Sequence, residues 1–254
     1  MTTRGTALVR RPSPRLAEGI VTHIERSDVD VDLAVDQHDD YVHALQSVGW
    51  EVRYVDPADD CPDSVFVEDT VVIIGGIAVL ARPGAESRRP EIDGTEAAIE
   101  ALGLPIHRIQ EPGTLDGGDV LQVGDRVYVG RGGRTNAEGI RQLRRIAGTV
   151  GRTVVAIPLE RVLHLKSAVT ALPDGTFLIF SDLVDARLFP AVRAVTEEPG
   201  AHVVLLGGDD VLVAASAPTT VNLIADLGYT PVVVDISEFE KLEGCVTCLN
   251  VLVP

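Results

Sequence analysis

A repeat constrains this chain more than any other feature. Four amphipathic runs each end at a glycine and pass straight into an apolar, strand-like segment. Residues 36–48 place Tyr41, Val42, Leu45 and Val48 on one face, Gly49 ends the run, and WEVRYV follows. Residues 94–102 stop at Gly103 before LPIHRI. Residues 135–147 open with Thr135 and Glu138 spaced as a capping box and stop at Gly148 before RTVVAIP. Residues 218–227 stop at Gly228 before YTPVVVD. A fifth, weaker copy over 185–196 is interrupted by Pro190 and leads into AHVVLL.

Between these helix–strand pairs lie strand–turn–strand stretches: VFVEDTVVIIGGIAVLARP, GDVLQVGDRVYVG, HLKSAVTALPDGTFLIF and VVLLGGDDVLVAAS. The terminal segment CVTCLNVLVP is apolar and suited to pair with the first strand, GTALVRRP, completing a fifth unit. A ββαβ unit repeated five times, roughly every 35–55 residues, favours a radial array over an open sheet. Closure on itself removes exposed sheet edges. The pattern therefore predicts an α/β fold: a five-bladed α/β propeller of ββαβ units with pseudo-five-fold symmetry, helices outside, in a single domain spanning 1–254. An open α/β sheet is the simpler alternative.

Composition narrows the function. Of 254 residues, 45% are hydrophobic, enough for a packed core, and no apolar run is long enough to span a membrane. The N-terminus lacks the apolar stretch of a secretory signal, which predicts a cytoplasmic protein. Three cysteines, Cys61, Cys245 and Cys248, do not suggest a disulfide framework, and they are too few for a four-cysteine zinc site. The net charge of −16 disfavours nucleic acid and suits a small cationic substrate. No GxGxxG or Walker A loop is present, so nucleotide binding has little support.

The unusual polar residues fall at the same turn of successive units. They are Asp63, Glu68 and Asp69 in PDSVFVEDT, Arg88 in GAESRRP, Asp116 and Asp119 in TLDGGDV, Arg134 in GGRTN, His164 in VLHLKSA and Cys248 in VTCLNVLV. Three carboxylates in one apolar segment are costly to bury without a cation. Cys245 and Cys248 form a CxxC, but no helix follows it as a thioredoxin-like site requires. Each residue alone also has a plain structural reading: a buried histidine, a buried thiol, a glycine-flanked loop.

Together, PDSVFVEDT, RPGAESRR, GTLDGGDV, RTNAEG, VLHLK and EGCVTC resemble the dimethylarginine dimethylaminohydrolase family of the guanidino-group-modifying superfamily, in order and spacing, over essentially the whole chain. The resemblance implies the same propeller, with its active site in the central channel. It implies that Cys248 is the nucleophile, His164 the acid–base and Asp116 an acidic member of the centre. It assigns Asp69, with Glu68 beside it, to the guanidinium and Asp63 to the amino-acid end. Arg88 and Arg134 would hold the α-carboxylate. Ile20 would contribute a backbone contact from a lid-like N-terminal loop, and Leu242 and Glu243 would approach the α-amino group.

The implied reaction is hydrolysis of mono- and asymmetric dimethylarginine to citrulline plus methylamine or dimethylamine, through a covalent thiouronium on Cys248. It needs no metal or organic cofactor, although a zinc ion trapped by Cys248 and neighbouring donors would inhibit. The competing readings are an arginine deiminase-like enzyme, an amidinotransferase, a non-catalytic binding protein on the same fold, and a thiol-redox protein using Cys245 and Cys248. Monomer and homodimer are both open, as are roles in nitric-oxide regulation and nitrogen scavenging.

Overall fold

The computed structural model describes residues 4–254; residues 1–3, part of the N-terminal stretch read above, lie outside it. Its strands form five three-stranded sheets. In chain order the strands of four of them are Val71–Ile74 (β3), Ile77–Leu80 (β4) and Ile106–Arg108 (β5); Val120–Val123 (β6), Arg126–Arg131 (β7) and Thr153–Pro158 (β8); Val169–Ala171 (β9), Phe177–Ile179 (β10) and Val192–Ala194 (β11); and Val203–Gly207 (β12), Asp210–Ala214 (β13) and Thr230–Val234 (β14). The remaining sheet joins the two ends of the chain. Its first strand is the C-terminal Val251–Val253 (β15), followed by Thr6–Val9 (β1) and Glu51–Tyr54 (β2). In every sheet the first two strands are antiparallel and the last two parallel.

The middle strands explain why the sequence reads as apolar runs rather than alternation. Successive strand residues point to opposite faces, and here both faces are covered. Val127 and Val129 of β7 pack with sheet β3–β4–β5, whereas Tyr128 packs with sheet β9–β10–β11. In β4, Ile77 and Val79 face one neighbour and Ala78 and Leu80 the other. The same alternation divides Phe177 and Ile179 from Leu178, Val211 and Val213 from Leu212, and Ala7 and Val9 from Leu8. Five hydrophobic clusters result, one at each junction between neighbouring sheets, including that between the last sheet and the first.

Four of the parallel connections carry a helix: Val31–Ser47 (α1), Ile92–Ala101 (α2), Ala137–Gly148 (α3) and Pro218–Asp226 (α4). Helix α1 starts five residues earlier than its periodicity suggested, because the Asp30 side chain accepts from the Leu33 N–H and caps it. Two expectations are corrected. The cap of α3 is Asn136, which accepts from the Gly139 N–H; the Thr135 hydroxyl is engaged instead by the Asp116 N–H. No helix spans 185–196: only the 3₁₀ turn Ala186–Leu188 forms before β11, since Pro190 bars a continuous ladder.

A stability prediction follows from α1. His38 is 1% exposed, and burial pushes its pKa down to about 4 from the ordinary 6.5. The unfolded chain therefore binds this proton first as pH falls. The stability that neutral His38 contributes is complete above pH 6.5 and drains as pH approaches 4. Between pH 7 and 5 wild type is expected to lose ~2 kcal/mol more than His38→Leu, by urea unfolding at both pH values. Equal losses would show that His38 is not the group responsible.

Candidate active site

The chemistry-bearing residues sit at one structural position, the entry to the first strand of each sheet. Glu68 and Asp69 occupy a 3₁₀ turn before β3, Asp116 and Asp119 flank a glycine pair before β6, His164 opens the turn before β9, and Cys248 precedes β15. The fifth sheet contributes His202 immediately before β12, a residue that the sequence reading did not single out. Repeat logic was the signal available for it.

One cavity gathers Ile20, Asp63, Asp69, Arg88, Arg134, His164, Leu242, Glu243 and Cys248, with Phe66, Leu163 and Gly244 completing its walls. Two of the expected residues lie elsewhere. Asp116, fully buried, stands behind His164, its Oδ2 3.0 Å from Nε2. Glu68 turns away from Asp69 and lines a second cavity, walled by the first strands of all five sheets. There it accepts from Lys166 Nζ at 2.5 Å and from the Thr247 hydroxyl at 2.9 Å. Burial pushes Glu68 up to about 7 although Lys166 opposes it.

The carboxylates are held by a network built before any ligand arrives. Asp69 Oδ1 accepts from the Gly118 N–H at 2.9 Å and Oδ2 from Arg88 Nη1 at 2.5 Å. Burial penalises this charge, but His164 and Arg88 together hold the Asp69 carboxyl well below its ordinary range. Gly118 is required by space: a Cβ there would lie 2.7 Å from His164 Nδ1 and 2.9 Å from Asp69 Oδ1. Arg88 is committed inside the protein, donating to both Glu91 oxygens, Asp69 and the carbonyls of Asp63 and Phe66. Arg134 is less engaged, with Nη1 3.6 Å from Asp116 Oδ2.

His164 holds its proton more tightly than an ordinary histidine. Burial alone would lower its pKa, but the charge of Asp69, the hydrogen bond to Asp116 and the charge of Asp119 raise it to about 9. It is therefore an imidazolium near neutral pH. Donor atoms of Asp69, Asp116 and His164 lie within 4.8 Å of one another, a spacing that a metal could use. A histidine ligand must be deprotonated, however, and this one is held protonated by the same two carboxylates. Among the described residues no group of three such donors includes Cys248.

Cys248 accepts from the Cys245 N–H at 3.4 Å, and the two sulfurs are 3.2 Å apart. The hydrogen bond to Cys245, burial and the charges of Glu68 and Asp69 all push the Cys248 thiol up. The loop over the cavity is latched at two points: Asp63 accepts from the Ile20 N–H, and Glu243 from the N–H groups of Thr22 and His23. Glu243 holds this latch with a backbone φ of 60°, unusual for a residue other than glycine.

A cavity-facing thiol, an imidazolium and buried carboxylates are the groups an amidine-type hydrolase uses, and comparison with known proteins points to that class. Residues 23–205 match the family model described as arginine deiminase. The chain is 64% identical over 246 residues to an N(G),N(G)-dimethylarginine dimethylaminohydrolase of Streptomyces coelicolor, covering 96% of this chain and 95% of that one. It is 35% identical to the enzyme of the same name from Pseudomonas aeruginosa, over 96% and 97% of the two chains. A crystal structure of the Pseudomonas aeruginosa enzyme, a cysteine-to-serine variant complexed with citrulline, superposes with a TM-score of 0.91 at 34% identity, covering 99% of this chain and all of that one. The chain belongs to the dimethylarginine dimethylaminohydrolase family, within the arginine deiminase group.

Proposed function

We infer that this protein hydrolyses Nω-methylated arginines, mono- and asymmetric dimethylarginine, to citrulline and the corresponding methylamine. The observation that carries the reading is the convergence of Cys248, His164 and Asp69 on one small cavity in a chain so similar to named enzymes of this activity. The scaffold we propose is a five-bladed α/β propeller in one catalytic domain, 1–254. Five sealed sheet junctions and one cavity lined by all five first strands support it. No helix among the described residues is long and apolar enough to cross a membrane. The cytoplasm is the compartment we propose, consistent with three free cysteines.

The proposed mechanism follows from charge. In the empty site the carboxylates keep Cys248 as a thiol. A guanidinium seated on Asp69 reverses the local sign and favours thiolate, which attacks the central carbon. His164 gives its proton to the departing amine and then, neutral, takes one from the water that attacks the thiouronium. Asp116 acts through His164, holding the ring and stabilising its charge. Glu68 and Arg88 act one step further back, through the Lys166 pair and through Asp69.

Arg134 is the cation with spare capacity for the α-carboxylate. Arg134→Ala is expected to raise KM at least ~10-fold with a smaller change in kcat, since a charge-assisted contact to a carboxylate is worth about 1.5–3 kcal/mol. A fall confined to kcat would contradict the assignment. The function itself is tested by offering the purified protein methylated arginines and plain arginine in parallel and measuring citrulline and the released amine. Citrulline with methylamine or dimethylamine is the expected result. Citrulline and ammonia from arginine alone would make the enzyme a deiminase.

A further inference from the structure

Cys245 is the one thiol beside the active site that the reaction above does not use. It is 2% exposed and lines neither of the cavities described, whereas Cys248 opens into the substrate cavity. Its sulfur lies 3.2 Å from that of Cys248, and the two residues close one turn in which the Cys248 N–H donates to the Cys245 carbonyl at 3.0 Å. A disulfide needs sulfurs about 2.05 Å apart, which is a side-chain adjustment of about 1 Å within a turn already formed.

We propose that Cys245 is the resolving partner of Cys248, so that peroxide converts the active site to a reversible Cys245–Cys248 disulfide instead of destroying it. The proposal rests on Cys248 being the reactive, cavity-facing thiol. Peroxide entering the cavity meets Cys248 first. The Cys248 sulfur attacks one peroxide oxygen, the O–O bond breaks, a sulfenic acid forms and, with the thiol proton, water leaves. Cys245 thiolate then attacks the sulfenic sulfur. The S–S bond forms, the S–O bond breaks, and hydroxide leaves as water with the proton that Cys245 gave up. Peroxide is the oxidant throughout, and an added dithiol reverses the bond by exchange.

The surroundings favour that division of roles. The hydrogen bond from Cys248 draws the Cys245 thiol well down against the cost of burial, and His202 acts in the same direction. His202 is fixed beside the pair by Nε2 donating to the Ser167 carbonyl at 2.8 Å. Thr247 Oγ1 is also 3.2 Å from the Cys245 sulfur. Cys248 is the sulfur that faces the cavity through which the oxidant enters, and Cys245 lies behind it at 3.2 Å, placed to attack second.

The test treats purified protein with hydrogen peroxide in molar excess, enough for the second oxidation that sulfinic acid requires, alkylates the remaining thiols, and maps the peptides by mass. Wild type is expected to lose two hydrogens, with Cys245 and Cys248 both protected, and to lose citrulline formation until dithiothreitol restores it. Cys245→Ser, with Cys245→Ala as a second variant, is expected to form citrulline beforehand, to carry sulfinic acid at Cys248 after peroxide, and to stay inactive in dithiothreitol. Sulfinic Cys248 beside alkylated Cys245 in wild type would overturn the proposal, as would a bridge to Cys61. So would a variant that recovers as wild type does. Untreated wild type that makes no citrulline would count against the functional reading alone, because the mass analysis reads the sulfur pair directly.

Discussion

Cys248→Ser is expected to abolish citrulline formation, by at least ~10³-fold, while leaving methylarginine binding nearly intact. The exchange is nearly isosteric, and the Cys245 N–H that meets the sulfur can donate to a hydroxyl as well. The loss is chemical. Burial and the charges of Glu68 and Asp69 already resist a negative charge at this atom. A bound guanidinium offsets that for a thiol, whose ordinary pKa is near 8.5. The same offset leaves a hydroxyl, several units less acidic, protonated and unreactive. Ligand titration followed by calorimetry, set beside a citrulline assay, separates the two effects. Turnover within ten-fold of wild type would remove Cys248 as nucleophile; lost binding would make its role structural.

Asp116→Asn is expected to lower kcat by ~10²–10⁴-fold and to move the basic limb of the pH–rate profile to lower pH. Asp116 Oδ2 meets His164 Nε2 and Oδ1 accepts from the Gly84 N–H, so it fixes the ring as well as its charge. Without that carboxylate His164 falls from about 9 towards its ordinary value, and the proton for the leaving amine is no longer secured near neutral pH. The sign also extends to stability. His164 binds its proton more tightly folded than unfolded, so it stabilises the fold fully below pH 6.5, and that contribution is lost as pH rises through about 9. The variant is therefore expected to show a shallower loss of stability between pH 6.5 and 9. An unshifted rate profile with unchanged kcat would remove Asp116 from any action through His164.

Much of this was legible in the chain. Apolar runs such as IAVL and DVLVA, buried on both faces between sheets, read as strands without alternation, and Gly49, Gly103 and Gly228 marked where helices turn back, whereas α3 runs through Gly148 and the chain turns at Gly151. Less legible were local contests for one hydroxyl or one backbone group. Thr135 looked like a cap until the Asp116 N–H claimed it. The 185–196 run looked helical although Pro190 sat within it. Adjacent residues were hardest of all. Glu68 and Asp69 look interchangeable in sequence, yet residues of a 3₁₀ turn project about 120° apart, so one faces the substrate cavity and the other the strand-lined one.

The sequence by itself determined the repeat, the strand edges at which polar residues cluster, and the residue types available for chemistry, because periodicity and turn chemistry are local. The tertiary structure alone decided that Asp116 and His164, 48 residues apart, share a hydrogen bond. It also bound Arg88 to Asp69 and Glu91 and set two sulfurs 3.2 Å apart. Proton affinity and ligand reach depend on charge, burial and distance in space, and those exist only once distant turns have packed together.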